Sequence, residues 1–293
     1  MKKKLILAGT VLMGAGLALA GCGDSSKTSD GKTKIEMVQY KPEAVKAFEK
    51  MEEKFNETHD DIELTIESPN EAMTILKTRF IKEDQPDIIG IGGDVNYSNF
   101  LDSDMLMDIS DFDGLKDIKQ SYLDIDKNLE FIPADGTYAV PYVANAAGIL
   151  YNKEMFEENG WSVPNTQEEL QAIIDDCNEK GITPFASHMV DTWSIGNVTM
   201  QFMMNDVFNN EADWGDKFRA GETSFSDSEA AQTAYSYNKL IYDNTFEDTF
   251  SREQTDCDAS MVLGEAAMKV SGSWSIQNFL DIDEEFNFGI FPF

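Results

Sequence analysis

The sequence is poor in basic residues. Its 23 lysines and arginines stand against 54 aspartates and glutamates, for a formal net charge of -31. Proteins that bind nucleic acid draw much of their affinity from clustered lysine and arginine side chains. The charge balance therefore argues against a nucleic-acid partner and against an anionic ligand held by bulk charge. An excess of carboxylates is typical of a solvated acidic surface.

Cysteine and histidine are scarce as well. The chain has three cysteines, too few for a disulfide framework. Cys177 and Cys257 could pair in an oxidising exterior, but free thiols are the favoured interpretation. The two histidines, His59 and His188, are far apart in sequence, so nothing indicates a catalytic triad.

Common enzyme signatures are absent from the globular part of the sequence. It has no phosphate-binding loop, nucleophile elbow, zinc-protease helix or dinucleotide-binding glycine motif. We therefore expect a protein that is not an enzyme and that needs no metal or cofactor. A pair of glycosidase-type carboxylates stays open, because the many acidic residues offer too many combinations.

The N-terminus has the pattern of a secretory signal peptide. A lysine-rich start is followed by an apolar stretch at 5–19 that is too short for a comfortable membrane-spanning helix. The motif Leu-Ala-Gly-Cys then ends at Cys22 and resembles the bacterial lipobox. This implies that Cys22 is lipidated and anchors the protein to the outer face of the bacterial cytoplasmic membrane. The alternative is an N-terminal membrane anchor with an incidental cysteine.

The rest of the chain alternates between strand and helix patterns. About 260 residues is more than one hydrophobic core usually serves, so two domains or one large α/β unit are expected. Strands are predicted at 35–39, 62–67 and 86–93, and helices at 43–56, 70–81, 96–103, 113–124 and 167–180. Such an order favours βαβ units and a mostly parallel sheet.

Three segments carry a resemblance to a known family. They are PDIIGIGGDVNYSNFLDSDMLMDIS (86–110), DGTYAVPYVANAAGILYNKEMFEENGWSVPNTQEEL (135–170) and SMVLGEAAMKVSGSWS (260–275). In this order they resemble the extracellular solute-binding lipoproteins of ABC-type sugar importers, which are similar to maltodextrin-binding protein. Gln167 departs from the family pattern, which has tryptophan after threonine. The resemblance implies a two-lobed α/β fold of the type II periplasmic-binding-protein kind, with mostly parallel sheets and helices on both faces.

The resemblance also implies how the chain is divided. The expected parts are a signal peptide at 1–21, the lipidated cysteine and a flexible tether at 22–34, an N-terminal lobe at 35–141, a second lobe at 142–287, and the start of a return crossover at 288–293. The last residues read as a strand without a closing helix, capping glycine or polar tail. We therefore expect that a C-terminal part of a longer protein is missing.

A sugar site needs aromatic faces for the C–H side of the ring and short polar groups for the hydroxyls. The resemblance suggests Trp274 and Trp193 as two stacking platforms, with core packing as the alternative for each. Asp94 follows the carboxyl end of a strand, where open α/β sheets place ligand groups. It is predicted to accept hydrogen bonds from two vicinal hydroxyls.

Four further residues complete the predicted site. Residues 136–151 resemble the first crossover between the lobes, so a hinge strand is predicted there, with Tyr142 and Asn145 facing the cleft. Plain core packing is the alternative for both. Gln39 and Tyr40 end the first strand and occupy the corresponding loop of the first lobe, with a turn role as the alternative.

The function that the resemblance implies is transport. A monomeric, membrane-anchored protein would capture a mono- or oligosaccharide between its lobes and deliver it to the transmembrane subunits of an ABC permease. One alternative is another solute on the same fold, such as a peptide, polyol or metal chelate. The other is a secreted carbohydrate-active enzyme.

Overall fold

The computed structural model describes residues 27, 28 and 30–292. The predicted signal peptide and the predicted lipidation site at Cys22 lie outside the described residues. Within the described part, each helix is too short or too polar to cross a membrane. The first strand begins at Thr33 rather than at residue 35, because Thr33 donates a backbone hydrogen bond to Asp61 and pairs with Lys27 in an isolated bridge.

The described chain forms two compact units. The first comprises the described residues as far as Tyr40 together with Ala47–Ile91, and the second comprises Lys41–Lys46 and the residues from Gly92 onward. The predicted lobe boundary between residues 141 and 142 stays a prediction.

The first unit is built on a parallel sheet with the strand order β2-β1-β3. Its elements are β1 (Thr33–Gln39), α1 (Val45–Thr58, which begins in the second unit), β2 (Ile62–Glu67), α2 (Ala72–Ile81) and β3 (Ile88–Gly90). β2 alternates half-buried aliphatic residues with exposed polar ones, as expected for a strand with one covered face. Glu36 on β1 accepts two hydrogen bonds from Arg79 on α2, at 2.5 and 2.6 Å. This bidentate ion pair ties the helix to the central strand.

The second unit contains a four-stranded sheet with the order β5-β6-β4-β7. Its strands are β4 (Ala147–Asn152), β5 (Thr183–Phe185), β6 (Ala266–Gly272) and β7 (Phe288–Phe291). β5 pairs parallel with β6, while β4 pairs antiparallel with both β6 and β7. Parallel pairs therefore predominate over the two sheets together, as predicted, although the second sheet is mixed.

Helices make up most of the second unit. They are α3 (Val95–Asp102), α4 (Gln120–Asn128), α5 (Lys153–Asn159), α6 (Gln167–Lys180), α7 (Thr192–Met203), α8 (Trp214–Ala220), α9 (Glu229–Asp243), α10 (Gln254–Val262) and α11 (Ile276–Ile282). A π-helical turn, Met204–Phe208, follows α7, and short 3-10 turns occur at Pro42–Ala44, Asp113–Asp117 and Ser273–Ser275. The main core of this unit packs residues of α5, α6, α7 and α9 against the sheet.

Local sequence signals explain why α6 matches its predicted bounds. The Thr166 side chain accepts a hydrogen bond from the Glu169 backbone N–H at 3.2 Å and so caps the first turn. Gly181 ends the helix in the left-handed conformation, with φ at 69°. A side chain there would strain the backbone, so glycine is the natural stop.

Three predicted elements are wrong in extent. The strand predicted at 86–93 is formed only at Ile88–Gly90. The helix predicted at 113–124 is interrupted, because Ile118 and Lys119 are extended between a 3-10 turn and α4. The strand predicted at 136–151 is formed only from Ala147 onward, and residues 137–146 have no regular secondary structure. Pro141 lacks a backbone N–H, and the N–H of Ala146 bonds the side chain of Ser273 instead of a neighbouring strand.

Candidate functional site

The two tryptophans predicted as stacking platforms lie side by side in the second unit. Trp193 is in the first turn of α7, and Trp274 is in the 3-10 turn that follows β6. Their ring centroids are 6.5 Å apart and the rings meet edge to face, at 71°. Trp193 is 45% exposed, so its ring is available to a ligand and is not core packing. Edge-to-face contact is a favourable geometry for aromatic pairs and supports a defined ring orientation.

A glycine makes room for the second tryptophan. A Cβ atom on Gly272 would overlap the six-membered ring of Trp274 and approach the Ala146 carbonyl oxygen to 2.6 Å. The indole therefore lies directly against the backbone at the end of β6. Buried hydroxyls of Ser271 and Ser275, 2.9 Å apart, join the two sides of the turn. The glycine and serines that flank Trp274 in the sequence thus build the turn that carries it.

A polar edge adjoins the tryptophan turn. The Ser273 hydroxyl donates a hydrogen bond to Asn145 Oδ1 at 3.3 Å and accepts one from the Ala146 N–H at 3.3 Å. The Ser273 N–H donates to the Ala146 carbonyl at 2.8 Å. Asn145 is exposed, and Tyr142 is 49% exposed. The structure therefore brings predicted Asn145 next to Trp274, and neither Asn145 nor Tyr142 belongs to a packed core.

His188 lies beside the tryptophan pair. No motif in the sequence around it indicated a role in binding. The residue is 3% exposed, and its ring centroid is 5.1 Å from that of Trp193. Burial, and secondarily the positive charge of Lys269, lower the pKa of His188 to about 3, so the imidazole is neutral at physiological pH. Among the described residues, His188 Nε2 and Trp274 Nε1 are both buried and have no hydrogen-bond partner.

Asp94 performs a structural task. Its Oδ1 accepts hydrogen bonds from the Asn96 backbone N–H at 2.7 Å and from Asn96 Nδ2 at 2.9 Å, which caps the start of α3. The residue is exposed. The ligand role of Asp94 stays a prediction. A diol bound by both carboxylate oxygens would have to share Oδ1 with the two hydrogen bonds from Asn96.

The first unit carries its own small pocket. Tyr40 lines a pocket of about 180 Å³ together with residues at the start of α2, namely Asn70, Glu71, Ala72, Met73 and Thr74. An aromatic ring beside amide, carboxylate and hydroxyl groups is the combination that sugars require. Sequence reasoning missed Asn70, Glu71 and Thr74. These residues follow the carboxyl end of β2, which pairs parallel with β1. Open α/β sheets place ligand groups at the carboxyl ends of their strands, so this position could have indicated them.

Gln39 differs from Tyr40 in exposure. It is fully buried, and its Nε2 donates a hydrogen bond to Ser68 Oγ at 2.5 Å. In this arrangement the side chain links β1 to the segment after β2. Its ligand role stays a prediction.

The cysteine thiols and the possible metal ligands among the described residues show no sign of a reactive site. Cys177 and Cys257 are free, as interpreted from the sequence, and both are buried. Burial raises their pKa values to about 12 and about 11, so neither thiol is a ready nucleophile. Over the described ranges, no group of three or more His, Cys, Asp or Glu side chains is arranged to hold a metal ion.

Comparison with known proteins identifies the class. The profile of the bacterial extracellular solute-binding protein family matches residues 33–293. The chain belongs to this family. The family and the two-lobed α/β fold class predicted from the sequence are thereby confirmed.

Individual relatives support the same class. The multiple sugar-binding protein of Streptococcus mutans is 26% identical over 299 residues, which cover 99% of this chain and 69% of that protein. RafE in complex with raffinose is 25% identical with a TM-score of 0.73, over 89% of this chain and 67% of RafE. A chitin oligosaccharide binding protein shares the fold, with 16% identity, a TM-score of 0.73 and coverage of 89% and 66%. The chain thus spans about two thirds of the length of these relatives, and they are solute-binding proteins, not enzymes.

Proposed function

We propose that this protein is the sugar-capturing component of an ABC importer. It binds a mono- or oligosaccharide without transforming it. The observation that carries the proposal is the pair formed by Trp193 and Trp274, with Asn145 and Ser273 at its edge. RafE binds raffinose, and the multiple sugar-binding protein and the chitin oligosaccharide binding protein also bind sugars, which supports the same ligand class.

Each group has a stated task in this proposal. The exposed indole of Trp193 and the ring of Trp274 contact the apolar C–H faces of sugar rings. The amide of Asn145 and the hydroxyl of Ser273 exchange hydrogen bonds with ring hydroxyls. The pocket beside Tyr40 in the first unit offers an aromatic ring with amide, carboxylate and hydroxyl groups to the same kind of ligand. The strongly negative chain favours a neutral ligand over an anionic one.

A thermal-shift screen tests the proposal directly. A ligand that binds only the folded state, present at about 100 times its Kd, stabilises the protein by about 2.7 kcal/mol and raises its Tm. We expect a shift with raffinose-type or chitin-type oligosaccharides, and the sugar should be recovered intact after incubation. Peptides, polyols and metal chelates form the comparison set. If the Tm rises only with a peptide, a polyol or a metal chelate, the ligand is not a sugar and the proposed ligand class is wrong. Release of hydrolysis products from the sugar would indicate a carbohydrate-active enzyme.

The proposal includes a place at the membrane. The family is extracellular, and the lipobox-like motif supports attachment through lipidated Cys22 to the outer face of the cytoplasmic membrane. There the monomeric protein would deliver its sugar to the transmembrane subunits of an ABC permease.

Cys22→Ala tests the anchor. Without a thiol to acylate, the variant should move from the detergent phase to the aqueous phase in a two-phase partition, because acyl chains supply the membrane affinity. Wild-type protein is the control. A variant that is recovered wholly with membranes would show that something other than lipid at Cys22 holds the protein there.

A further inference from the structure

An ion pair is enclosed in the second unit close to the tryptophan turn. Lys269 Nζ lies 2.5 Å from Asp258 Oδ1, and the two side chains are 1% and 0% exposed. The other carboxylate oxygen of Asp258 accepts a hydrogen bond from Asn278 Nδ2 at 2.8 Å. Removing two charges from water is expensive, and apolar replacements of such pairs are often equally stable. Stability alone is therefore a weak explanation for this cluster.

The cluster joins the elements on both sides of Trp274. Lys269 is on β6, which leads into the turn, and Asn278 is on α11, which leaves it. Both bond the same carboxylate, that of Asp258 on α10. β6 and α11 are therefore both hydrogen-bonded to Asp258, and the hydroxyls of Ser271 and Ser275 also join the two sides of the turn.

The segment that carries His188 is also bonded to β6 beside Lys269. The Ala186 N–H donates a hydrogen bond at 2.8 Å to the carbonyl oxygen of Met268, the residue before Lys269. The His188 ring in turn contacts Trp193 edge to face, with centroids 5.1 Å apart. The part of β6 that carries Lys269 is thus linked to Trp274 through its own backbone, and to Trp193 through the segment that runs from Ala186 to His188.

We propose that Asp258, Lys269 and Asn278 are positioning residues for the sugar site, which orient Trp274 and Trp193 without contacting the ligand. This inference rests on the proposed function, because it assigns the buried cluster to the site that binds sugar. Loss of the cluster should change the orientation of the Trp274 and Trp193 indoles and so lower the affinity for sugar, even in a protein that stays folded.

The key variant removes both charges together. In Asp258→Leu/Lys269→Met neither charge is left unpaired, so the fold should be kept. We expect sugar affinity measured by calorimetry to fall at least tenfold while the Tm stays close to that of the wild type. Asn278→Ala removes one hydrogen bond and should weaken binding about threefold or more. Asp281→Asn is the matched control on α11, because Asp281 pairs with Lys46 at the surface, and its affinity should be unchanged.

A ligand-free readout separates positioning from binding. The chain has four tryptophans, so 5-fluorotryptophan labelling yields four fluorine resonances that single Trp→Phe variants assign. In the double variant the Trp274 and Trp193 resonances should move or split, while those of Trp161 and Trp214 should stay in place.

The outcomes decide the inference. A folded double variant with wild-type affinity and unmoved Trp274 and Trp193 resonances would overturn it, and would leave the proposed sugar binding intact. If the double variant does not fold, Asn278→Ala decides by the same two measurements. A wild-type chain that binds no sugar overturns the proposed function instead, and the fluorine spectra alone then decide whether the cluster orients the rings.

Discussion

Sugar binding should weaken at least ~10-fold when Trp274 is replaced by alanine, while the fold is retained. Stacking on an aromatic face contributes about 1 kcal/mol or more beyond area burial, and 1.4 kcal/mol corresponds to tenfold in affinity. The ring lies over Gly272 and against Trp193, so its loss also removes the edge-to-face partner of the other platform. Titration calorimetry with the sugar found by thermal shift measures the effect.

Trp161→Ala is the matched control for this prediction. Trp161 is a tryptophan of the same unit, partly buried beside Phe156, and its Nε1 donates to Asp176 at 2.6 Å. Its removal should lower stability but leave affinity unchanged. Equal affinity of Trp274→Ala and wild-type protein would remove Trp274 from the site, and equal losses in both variants would point to a general effect on folding.

Lys269→Met is expected to lower the free energy of unfolding by about 3–5 kcal/mol. The substitution leaves the carboxylate of Asp258 buried, with its charge uncompensated and only Asn278 as a neutral partner. Since domains are stable by about 5–15 kcal/mol, the loss is a large fraction of the total. Urea unfolding at constant temperature measures it.

Lys46→Met provides the comparison. Lys46 pairs with Asp281 at 2.8 Å, but the two side chains are 71% and 43% exposed. Exposed pairs contribute about 0–1 kcal/mol, because water solvates each charge when the other is removed. If Lys269→Met cost no more than Lys46→Met, the buried carboxylate would have to be solvated or protonated without penalty, and the account of the cluster would fail.

Some elements of both units could be predicted from local patterns. The period-two alternation of Ile62–Glu67 matches the observed strand at both ends. α6 also matches its predicted bounds, because Thr166 and Gly181 supply start and stop signals that act within one helical turn. The three family segments likewise indicate the class of protein from sequence alone.

The structure brings together three of the seven residues predicted for the site, and the ligand role of all seven stays a prediction. Trp193, Trp274 and Asn145 are brought together in one unit, and two flanking serines and a glycine explain the turn at Trp274. Tyr40 lines a pocket whose other polar residues sequence reasoning missed. Asp94, in contrast, caps a helix, a local role that its sequence position also allowed.

The sequence by itself determined the charge and the resemblance to the family. It also determined those elements whose periodicity and caps depend on neighbours within a few residues, such as Ile62–Glu67 and α6. Tertiary structure alone decided that residues 137–146 leave the sheet, since the Ala146 N–H finds its partner in Ser273, which is remote in sequence. It also decided that His188 is neutral and borders Trp193, and that Lys269 is buried against Asp258. A single histidine or lysine forms no repeating sequence pattern from which its burial or its neighbours could be predicted. Burial and charge pairing depend on which distant segments pack together.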